Sequence, residues 1–184
     1  MDWLHNNDKE LLLIGVDGCG GAGKSTWAEY MLSITQKGAV VHMDDFYFPS
    51  RQRVYPPDIG GHFDWKRMLE QVLEPLSQNR AACYQCYDWD NDELAEWHDV
   101  SPSGVVVIEG CYAARNELRP YYDYTVWVDC PRGLRLQRGL KRDGEDALSF
   151  WLDWMKQEDR YQDNQQPRSK VDWIIDGTEK IKTK

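Results

Sequence analysis

The glycine-rich segment Gly18–Ser25 combines residue types that bind phosphate. It satisfies the pattern G-x-x-x-x-G-K-[ST] between an apolar run, Leu11–Val16, and a run compatible with a helix, Trp27–Ile34. Glycines let successive backbone N–H groups turn around a phosphate chain, and the following helix points its positive end at the same anion. We therefore expect Lys24 to neutralise the β- and γ-phosphates of a nucleotide and Ser25 to hold Mg²⁺. This strand-to-helix context disfavours the alternative, a glycine-rich turn without a ligand.

Acidic residues follow two further apolar runs. Asp44 and Asp45 come directly after Ala39–Met43, and Glu109 ends the β-branched run Gly104–Ile108. Because ligands of open parallel sheets bind beyond the carboxyl ends of the strands, these acids should face the phosphate site. We predict that Asp44 is a general base for an acceptor hydroxyl, that Asp45 assists Mg²⁺ or water, and that Glu109 holds the water shell of the phosphate-bound Mg²⁺. Solvated turns or a helix cap are the alternatives.

A basic stripe follows the predicted strand Tyr124–Asp129. Its members recur at three- and four-residue steps, typical of one helical face, and are Arg132, Arg135, Arg138, Lys141 and Arg142. Phosphoryl transfer depends on neutralising charge on the transferring group, which guanidinium groups on a lid can do. The pattern predicts a short lid over about 132–146, and a solvated helix face is the alternative.

Two segments between these motifs are candidates for acceptor recognition. Phe48–Gly61 is a polar, proline-rich connection of a length that is usually functional, and Asp64 after it is either the N-cap of a helix, a ligand of substrate hydroxyls, or both. Two strand-like arms over about 82–100 predict a hairpin or flap. Cys83 and Cys86 in its first arm raise the alternative of zinc, but a single C-x-x-C lacks a second pair.

The C-terminal part predicts a helix over Ala147–Tyr161 and a last strand over Val171–Ile175. The helix carries an aromatic and aliphatic stripe, which we interpret as core. The tail, residues 178–184, is expected to be frayed.

Length and composition restrict the classes of protein. The chain of 184 residues has the size of one domain, 1–184, and its net charge of −9 argues against nonspecific nucleic-acid binding. No membrane-spanning run or leader pattern is present, and the five cysteines are scattered and odd in number, so we expect a cytoplasmic protein.

With these motifs assembled, the chain resembles the uridine kinase branch of phosphate-loop kinases, which includes phosphoribulokinase and pantothenate kinase. The motifs that carry the resemblance are GCGGAGKST, MDDFY, HFDW, the Tyr87-Asp88 pair, VVVIEG, RLQRGLKRD and VDWII. The resemblance implies an α/β phosphate-loop NTPase fold with three layers. Helices would flank a five-stranded parallel sheet with the phosphate-loop strand in its middle. It also implies ATP, Mg²⁺ and a small-molecule hydroxyl acceptor.

The resemblance also implies residue roles. The nucleotide would contact Gly18, Gly20, Gly21, Ala22, Gly23, Lys24, Ser25 and Thr26. Asp44, Lys24 and Arg138 would be catalytic, and Arg135 and Arg142 would lie near the phosphates. Glu109 would be the Mg²⁺-associated acid, and Tyr47, Asp64 and Tyr87 would contact a nucleoside.

Two departures from the branch concern specificity. Nucleoside kinases of the branch tend to have a base-contacting histidine five residues after the tyrosine of the Tyr-Asp pair, and this chain has Asp92 there. The lid is also short. A nucleoside is therefore the favoured acceptor, pantothenate-type or sugar-phosphate-type alcohols are alternatives, and a nucleotide sensor without transfer activity is a third reading. A regulatory GTPase is disfavoured because the guanine motif Asn-Lys-x-Asp is absent. The sequence leaves the ATP or GTP preference and the oligomeric state open.

Overall fold

The computed structural model describes residues 9–35 and 37–179. Seven strands occur within these residues: β1 (Leu11–Asp17), β2 (Gly38–His42), β3 (Ala82–Asp88), β4 (Glu93–Val100), β5 (Gly104–Glu109), β6 (Tyr124–Asp129) and β7 (Trp173–Asp176). Five of them form a parallel sheet in the order β2-β5-β1-β6-β7. The sheet confirms the predicted α/β class with the phosphate-loop strand β1 in the middle.

Helices cover both faces of this sheet. The helical segments are α1 (Lys24–Thr35), α2 (Trp65–Met68), a π-helical turn (Leu69–Leu73), α3 (Glu74–Ser77), α4 (Arg132–Asp143) and α5 (Leu148–Gln165). The segments α2, the π-helical turn and α3 follow one another without a break. Strands β3 and β4 pair antiparallel as a separate hairpin, as predicted for the flap. No helix in the described ranges is long and apolar enough to cross a membrane.

Two apolar clusters hold the three layers together. One lies between the sheet and the α2–α3 segment with the hairpin, and it includes Met68, Leu76 and Tyr84. The other lies between the sheet and α1, and it includes Trp27 and Met31. Strand β1 contributes to both clusters and is buried along its whole length, which explains why its sequence is a continuous apolar run rather than an alternating one.

Element boundaries differ from the sequence prediction at a few points. The predicted strand through Met43 ends at His42, since Met43–Phe46 forms a 3₁₀ turn that carries Asp44 and Asp45 out of the sheet. In the tail, Thr178 donates hydrogen bonds to Asp176 in a turn. The part of the predicted frayed tail from residue 180 onward lies outside the described residues.

Helix α5 confirms the interpretation of its stripe as core for only part of the stripe. Trp151, Met155 and Tyr161 are buried, but Leu148 and Trp154 are more than a third exposed. Trp154 and the buried Trp151 also line a large cavity. An apolar periodicity records which side chains share a face of a helix, and it cannot distinguish a core from the wall of a cavity.

Candidate active site

The phosphate loop joins the buried end of β1 to the first turn of α1. Gly18, Gly21 and Gly23 have φ values of +146°, +76° and +104°, which L side chains rarely adopt. A side chain at Gly21 would also approach the backbone oxygen of Arg135 to 2.6 Å. The glycines of the motif are therefore required by the shape of the loop and by its contact with α4.

Lys24 lies inside this loop with 8% of its surface exposed. Its Nζ donates hydrogen bonds to the carbonyl oxygen of Cys19 at 3.1 Å and to Cys111 Sγ at 3.5 Å. Burial opposes the charge of Lys24, but nearby acidic groups that include Glu109 and Glu158 outweigh this effect and raise its pKa above the ordinary value. The ammonium group is thus charged and held at the loop, as a phosphate-neutralising lysine requires.

Ser25 and Glu109 meet at the end of β5. Ser25 Oγ donates a hydrogen bond to Glu109 Oε1 at 3.0 Å, and His42 Nδ1 lies 2.5 Å from the same oxygen. Burial raises the pKa of Glu109, but the hydrogen bond from His42 and the charge of Lys24 outweigh it, so the pKa ends below the usual value. The hydrogen bond to Glu109 is also the main cause of a raised pKa at His42.

The donor set at Ser25 and Glu109 fits Mg²⁺. A hydroxyl and an ionised carboxylate lie 3.0 Å apart at the wall of the cavity, and both are hard oxygen ligands. The described residues contain no cluster of three or more His, Cys, Asp or Glu that could hold a metal ion by itself. Mg²⁺ commonly keeps waters and phosphate oxygens and takes only one or two protein ligands, so this open arrangement suits it. Cys83 and Cys86 have no such cluster around them either.

Asp44 points into the cavity from the 3₁₀ turn after β2. It makes no hydrogen bond to the described residues, although the positive charges of Lys24 and Arg142 lower its pKa. Its side chain remains accessible from the open cavity, but desolvation by the surrounding cavity walls raises its pKa above the ordinary aspartate value, and Lys24 counteracts part of this shift. A carboxylate without a partner, with a raised pKa, has the properties of a proton acceptor.

Asp45 points to the other side of the same turn. Its Oδ2 accepts a hydrogen bond from Tyr84 of the hairpin at 3.1 Å, and its backbone oxygen accepts one from Arg67 at 3.0 Å. Asp45 is not among the residues that line the cavity. The structure therefore brings Ser25, Glu109 and Asp44 together and places Asp45 in a contact with the hairpin instead.

One cavity of about 860 Å³ connects the phosphate loop to Asp44 and to a group of aromatic side chains. Its phosphate half is lined by the loop, Lys24, Ser25 and Glu109, together with residues of α4. Its aromatic half is lined by Tyr47, His62, Phe63, Trp89, Tyr112, Trp154 and Gln157. Asp44 lies on the wall of the same cavity, so a phosphate donor and an acceptor could share it.

Tyr47 is the centre of the aromatic half. Its ring lies 4.7 Å from that of Trp89 and 5.1 Å from that of Phe63, measured between ring centroids. Trp89, at the tip of the hairpin, is 54% exposed. Of these three residues only Tyr47 was predicted to contact substrate, because Trp89 and Phe63 lie on a loop and a turn whose positions the sequence pattern does not fix.

The other two predicted substrate ligands do not line the cavity. Asp64 accepts a hydrogen bond from the backbone N–H of Arg67 at 3.1 Å and is the N-cap of α2, as one of the two readings had it. Tyr87 donates a hydrogen bond to Asp92 at 2.6 Å. Arg53 donates to both Tyr87, at 2.7 Å, and Asp92, at 3.2 Å. Asp92 is thus engaged in joining the hairpin to the loop Phe48–Gly61.

The predicted lid arginines have different partners. Arg135 is buried and pairs with Glu158 of α5 at 2.8 Å. Arg138 donates to the backbone oxygens of Gly21, at 3.2 Å, and Gly177, at 2.9 Å, and so links the phosphate loop to the C-terminal turn. Arg142 pairs with its neighbour Asp143 at the cavity wall. Arg138 and Arg142 line the cavity, whereas Arg135 lies behind it.

Three residues that support the site were not predicted. Asp17 accepts four hydrogen bonds, including one of 2.6 Å from Tyr161 on α5. Glu158 accepts a hydrogen bond of 2.6 Å from the backbone N–H of Gly20. Trp151 packs against Gly20 and Gly139. A buried acid directly before a phosphate loop was a usable signal for Asp17, but no local pattern connects α5 to the loop.

These features define a phosphate-loop nucleotide-binding fold of the kinase type. The Phosphoribulokinase / Uridine kinase family model matches residues 58–147. A possible uridine kinase from Bacillus stearothermophilus superposes with a TM-score of 0.74 and 24% identity, covering 95% of this chain and 94% of that one. D-glycerate 3-kinase from Cryptococcus neoformans superposes with a TM-score of 0.65 and 15% identity, covering 97% and 92%.

Curated relatives point the same way. Uridine kinase of Ureaplasma parvum is 27% identical over 148 residues, which are 74% of this chain and 71% of the relative. Inorganic pyrophosphatase TTM2 of Arabidopsis thaliana is 32% identical over 151 residues, which are 78% of this chain but only 22% of that longer protein. Together these matches confirm the resemblance found in the sequence: the chain is similar to the uridine kinase-like branch of the phosphate-loop kinases.

Proposed function

We propose that the protein is an ATP-dependent phosphotransferase that phosphorylates a hydroxyl group of a small metabolite, with a nucleoside as the favoured acceptor. The single observation that carries this proposal is the shared cavity. It is lined by a phosphate loop, a carboxylate without a hydrogen-bond partner and a group of aromatic side chains. Similarity to the Phosphoribulokinase / Uridine kinase family supports the transfer chemistry, and because the identity to named uridine kinases is low, the acceptor is argued from the geometry of this chain.

The reaction divides between the residues of the two halves. The loop amides and Lys24 bind the phosphates, and Ser25 with Glu109 would hold Mg²⁺, which neutralises charge on the phosphates when bound. Asp44 orients the acceptor hydroxyl and accepts its proton as the oxygen attacks the terminal phosphorus. Arg138 and Arg142 add positive charge at the cavity wall.

The lining of the cavity favours an uncharged, flat acceptor. Within the described residues, the lysine and arginine side chains that line it are Lys24, Arg138 and Arg142, all on the phosphate loop side or on α4. The aromatic half offers rings, His62 and Gln157. Aromatic rings bind other rings by stacking, whereas a sugar phosphate needs cations. A nucleoside therefore suits this half better than a sugar phosphate.

The experiment is release of ADP from Mg-ATP across a panel of acceptors: uridine, cytidine, other nucleosides, pantothenate and sugar phosphates. We expect a nucleoside to stimulate release. The variant Asp44→Asn should lose this stimulation by about 10²- to 10⁴-fold and retain ATP binding, because it removes the base and no phosphate contact. Asp45→Asn is the matched control, since Asp45 faces the hairpin, and it should keep most of the activity.

Other outcomes of this assay separate the alternatives. If only pantothenate or a sugar phosphate stimulates ADP release, the phosphotransferase assignment would stand and the nucleoside would be replaced by that acceptor. ATP binding without stimulation by any acceptor would favour the nucleotide-sensor reading. Full acceptor-dependent activity in Asp44→Asn would exclude Asp44 as the base.

A further inference from the structure

The carboxylate of Glu158 lies against the phosphate loop. Its Oε1 accepts a hydrogen bond from the backbone N–H of Gly20 at 2.6 Å, and its Oε2 accepts one from Arg135 at 2.8 Å. The thiol of Cys111, itself a hydrogen-bond partner of Lys24, lies 3.7 Å from the same Oε1. Glu158 is 5% exposed, yet it belongs to the wall of the cavity. A carboxylate of the protein itself therefore lies among the hydrogen-bond donors of the phosphate loop.

This arrangement conflicts with the binding of a full phosphate chain. Backbone N–H groups of a phosphate loop serve as donors to phosphate oxygens, and the N–H of Gly20 is already used by a carboxylate. Phosphate and carboxylate are both negative, and their repulsion is strong where water is excluded. Arg135 pairs with Glu158 from behind the cavity, but this pair leaves the N–H of Gly20 occupied by the carboxylate.

We propose that Glu158 occupies part of the phosphate loop in the free protein and that a nucleoside triphosphate displaces it. On binding, the phosphate chain takes the N–H of Gly20, and the carboxylate of Glu158 withdraws while keeping its pair with Arg135 behind the cavity. Helix α5 carries Glu158, Trp151 and Trp154, so the displacement links occupation of the loop to the wall of the aromatic half. The inference rests on the proposed function only in that the loop binds nucleotide.

The alternative is that Glu158 merely braces the loop, and it predicts the opposite sign. The test measures the dissociation constant of Mg-ATP, without any acceptor, by isothermal titration calorimetry. Glu158→Gln keeps an oxygen that can accept a hydrogen bond but removes the charge, so we expect ATP to bind about tenfold more tightly than in the parent. A brace would give unchanged or weaker binding, and that result would overturn the proposal.

Asp159→Asn is the matched control for this variant. Asp159 is the next residue on α5 and also pairs with an arginine of α4, Arg132, at 2.8 Å, but both partners are about half exposed. It should leave the dissociation constant of ATP within about twofold of the parent, as expected for an exposed pair. Tightening in Asp159→Asn equal to that in Glu158→Gln would assign the effect to net charge and overturn the proposal.

A second variant covers the case in which Glu158→Gln does not fold, since it leaves Arg135 buried and unpaired. Glu158→Asp keeps the charge but withdraws the carboxylate from Gly20, and we expect tighter ATP binding here too. If neither folded variant binds ATP more tightly than the parent, the proposal is overturned. It is also overturned if neither the parent nor the variants bind ATP. The calorimetry contains no acceptor, so it is independent of the ADP-release assay. Tighter ATP binding in the variants, together with no acceptor-stimulated ADP release in that assay, would overturn the proposed kinase function but support the displacement of Glu158.

Discussion

The phosphate half and the aromatic half of the cavity are built in different ways. In the phosphate half, Lys24 and Glu109 are 8% and 4% exposed and are held by hydrogen bonds to Cys19 and Ser25. In the aromatic half, Trp89 and Trp154 are 54% and 38% exposed and belong to a hairpin tip and a helix face. The difference indicates that the phosphate half is held by contacts within the protein, whereas the aromatic half is lined by side chains that remain open to solvent.

Removal of the loop lysine should impair the function of the phosphate half more than any other change proposed here. Lys24→Ala deletes the buried ammonium group that faces the phosphates, and we expect kcat to fall by about 10³-fold or more, with weaker ATP binding. Steady-state kinetics and calorimetry measure the two effects. Lys156→Ala, an exposed lysine of α5 paired with Asp153, is the control. Near-normal turnover in Lys24→Ala would contradict the assigned role.

The buried hydrogen bonds of the phosphate half should also contribute to stability. Each oxygen of Asp17 accepts two hydrogen bonds, from Gly18 and Tyr112 on one side and from Ala114 and Tyr161 on the other. In Asp17→Asn one oxygen becomes an amino group, so two buried donors lose their acceptor. We expect the free energy of unfolding to fall by about 2–4 kcal/mol in urea denaturation. Asp163→Asn, exposed on α5, should change it by less than about 0.5 kcal/mol.

A change in the aromatic half should affect only the acceptor. Trp89→Ala removes a ring that packs on Tyr47, and we expect the KM for the acceptor to rise about tenfold while the dissociation constant of ATP stays the same. Trp97→Ala is the matched control, because Trp97 is exposed on β4 of the same hairpin and does not line the cavity. Equal effects of Trp89→Ala on ATP and acceptor would show that the halves are not separate.

The smallest expected effect is on the pH profile. Asp44 accepts a proton only when ionised, and desolvation raises its pKa, so the acid limb of kcat/KM should lie at higher pH than for a free aspartate. Arg142 lowers this pKa. Arg142→Ala should therefore shift the acid limb further toward neutral pH, and Lys141→Ala, exposed on α4, should not. A shift toward lower pH in Arg142→Ala would contradict the assignment of Asp44.

The sequence predicted the sheet and the phosphate half well because their signals are local. A buried parallel strand has to be apolar throughout, a phosphate loop needs glycines at fixed spacing, and acids that end parallel strands meet at one edge. These constraints located Lys24, Ser25, Asp44 and Glu109. The loop contact of Glu158 was missed because it joins residues 138 positions apart, and no spacing rule connects them.

The aromatic half was harder to predict because its residues come from unrelated segments. Tyr47 follows a strand, Trp89 lies at a hairpin tip, and Trp154 belongs to a helix whose stripe was interpreted as core. Asp45 was predicted to assist Mg²⁺ or water because it lies beside Asp44. Neighbouring side chains on a 3₁₀ turn point in different directions, however, and the carboxylate of Asp45 accepts a hydrogen bond from Tyr84. Side-chain direction after a strand end depends on packing that the sequence pattern does not contain.

The contact of Asp92 with Arg53 and Tyr87 has a consequence for exchanging parts among relatives. Asp92 also accepts a hydrogen bond from the backbone N–H of Ser50 at 2.8 Å, so the hairpin and the loop Phe48–Gly61 are joined at several atoms. These two segments should therefore be exchanged together when parts of the chain are swapped between relatives. A chimaera that receives only the hairpin of another kinase would lose the partners of Arg53, whereas a chimaera that receives both segments would carry acceptor preference with it.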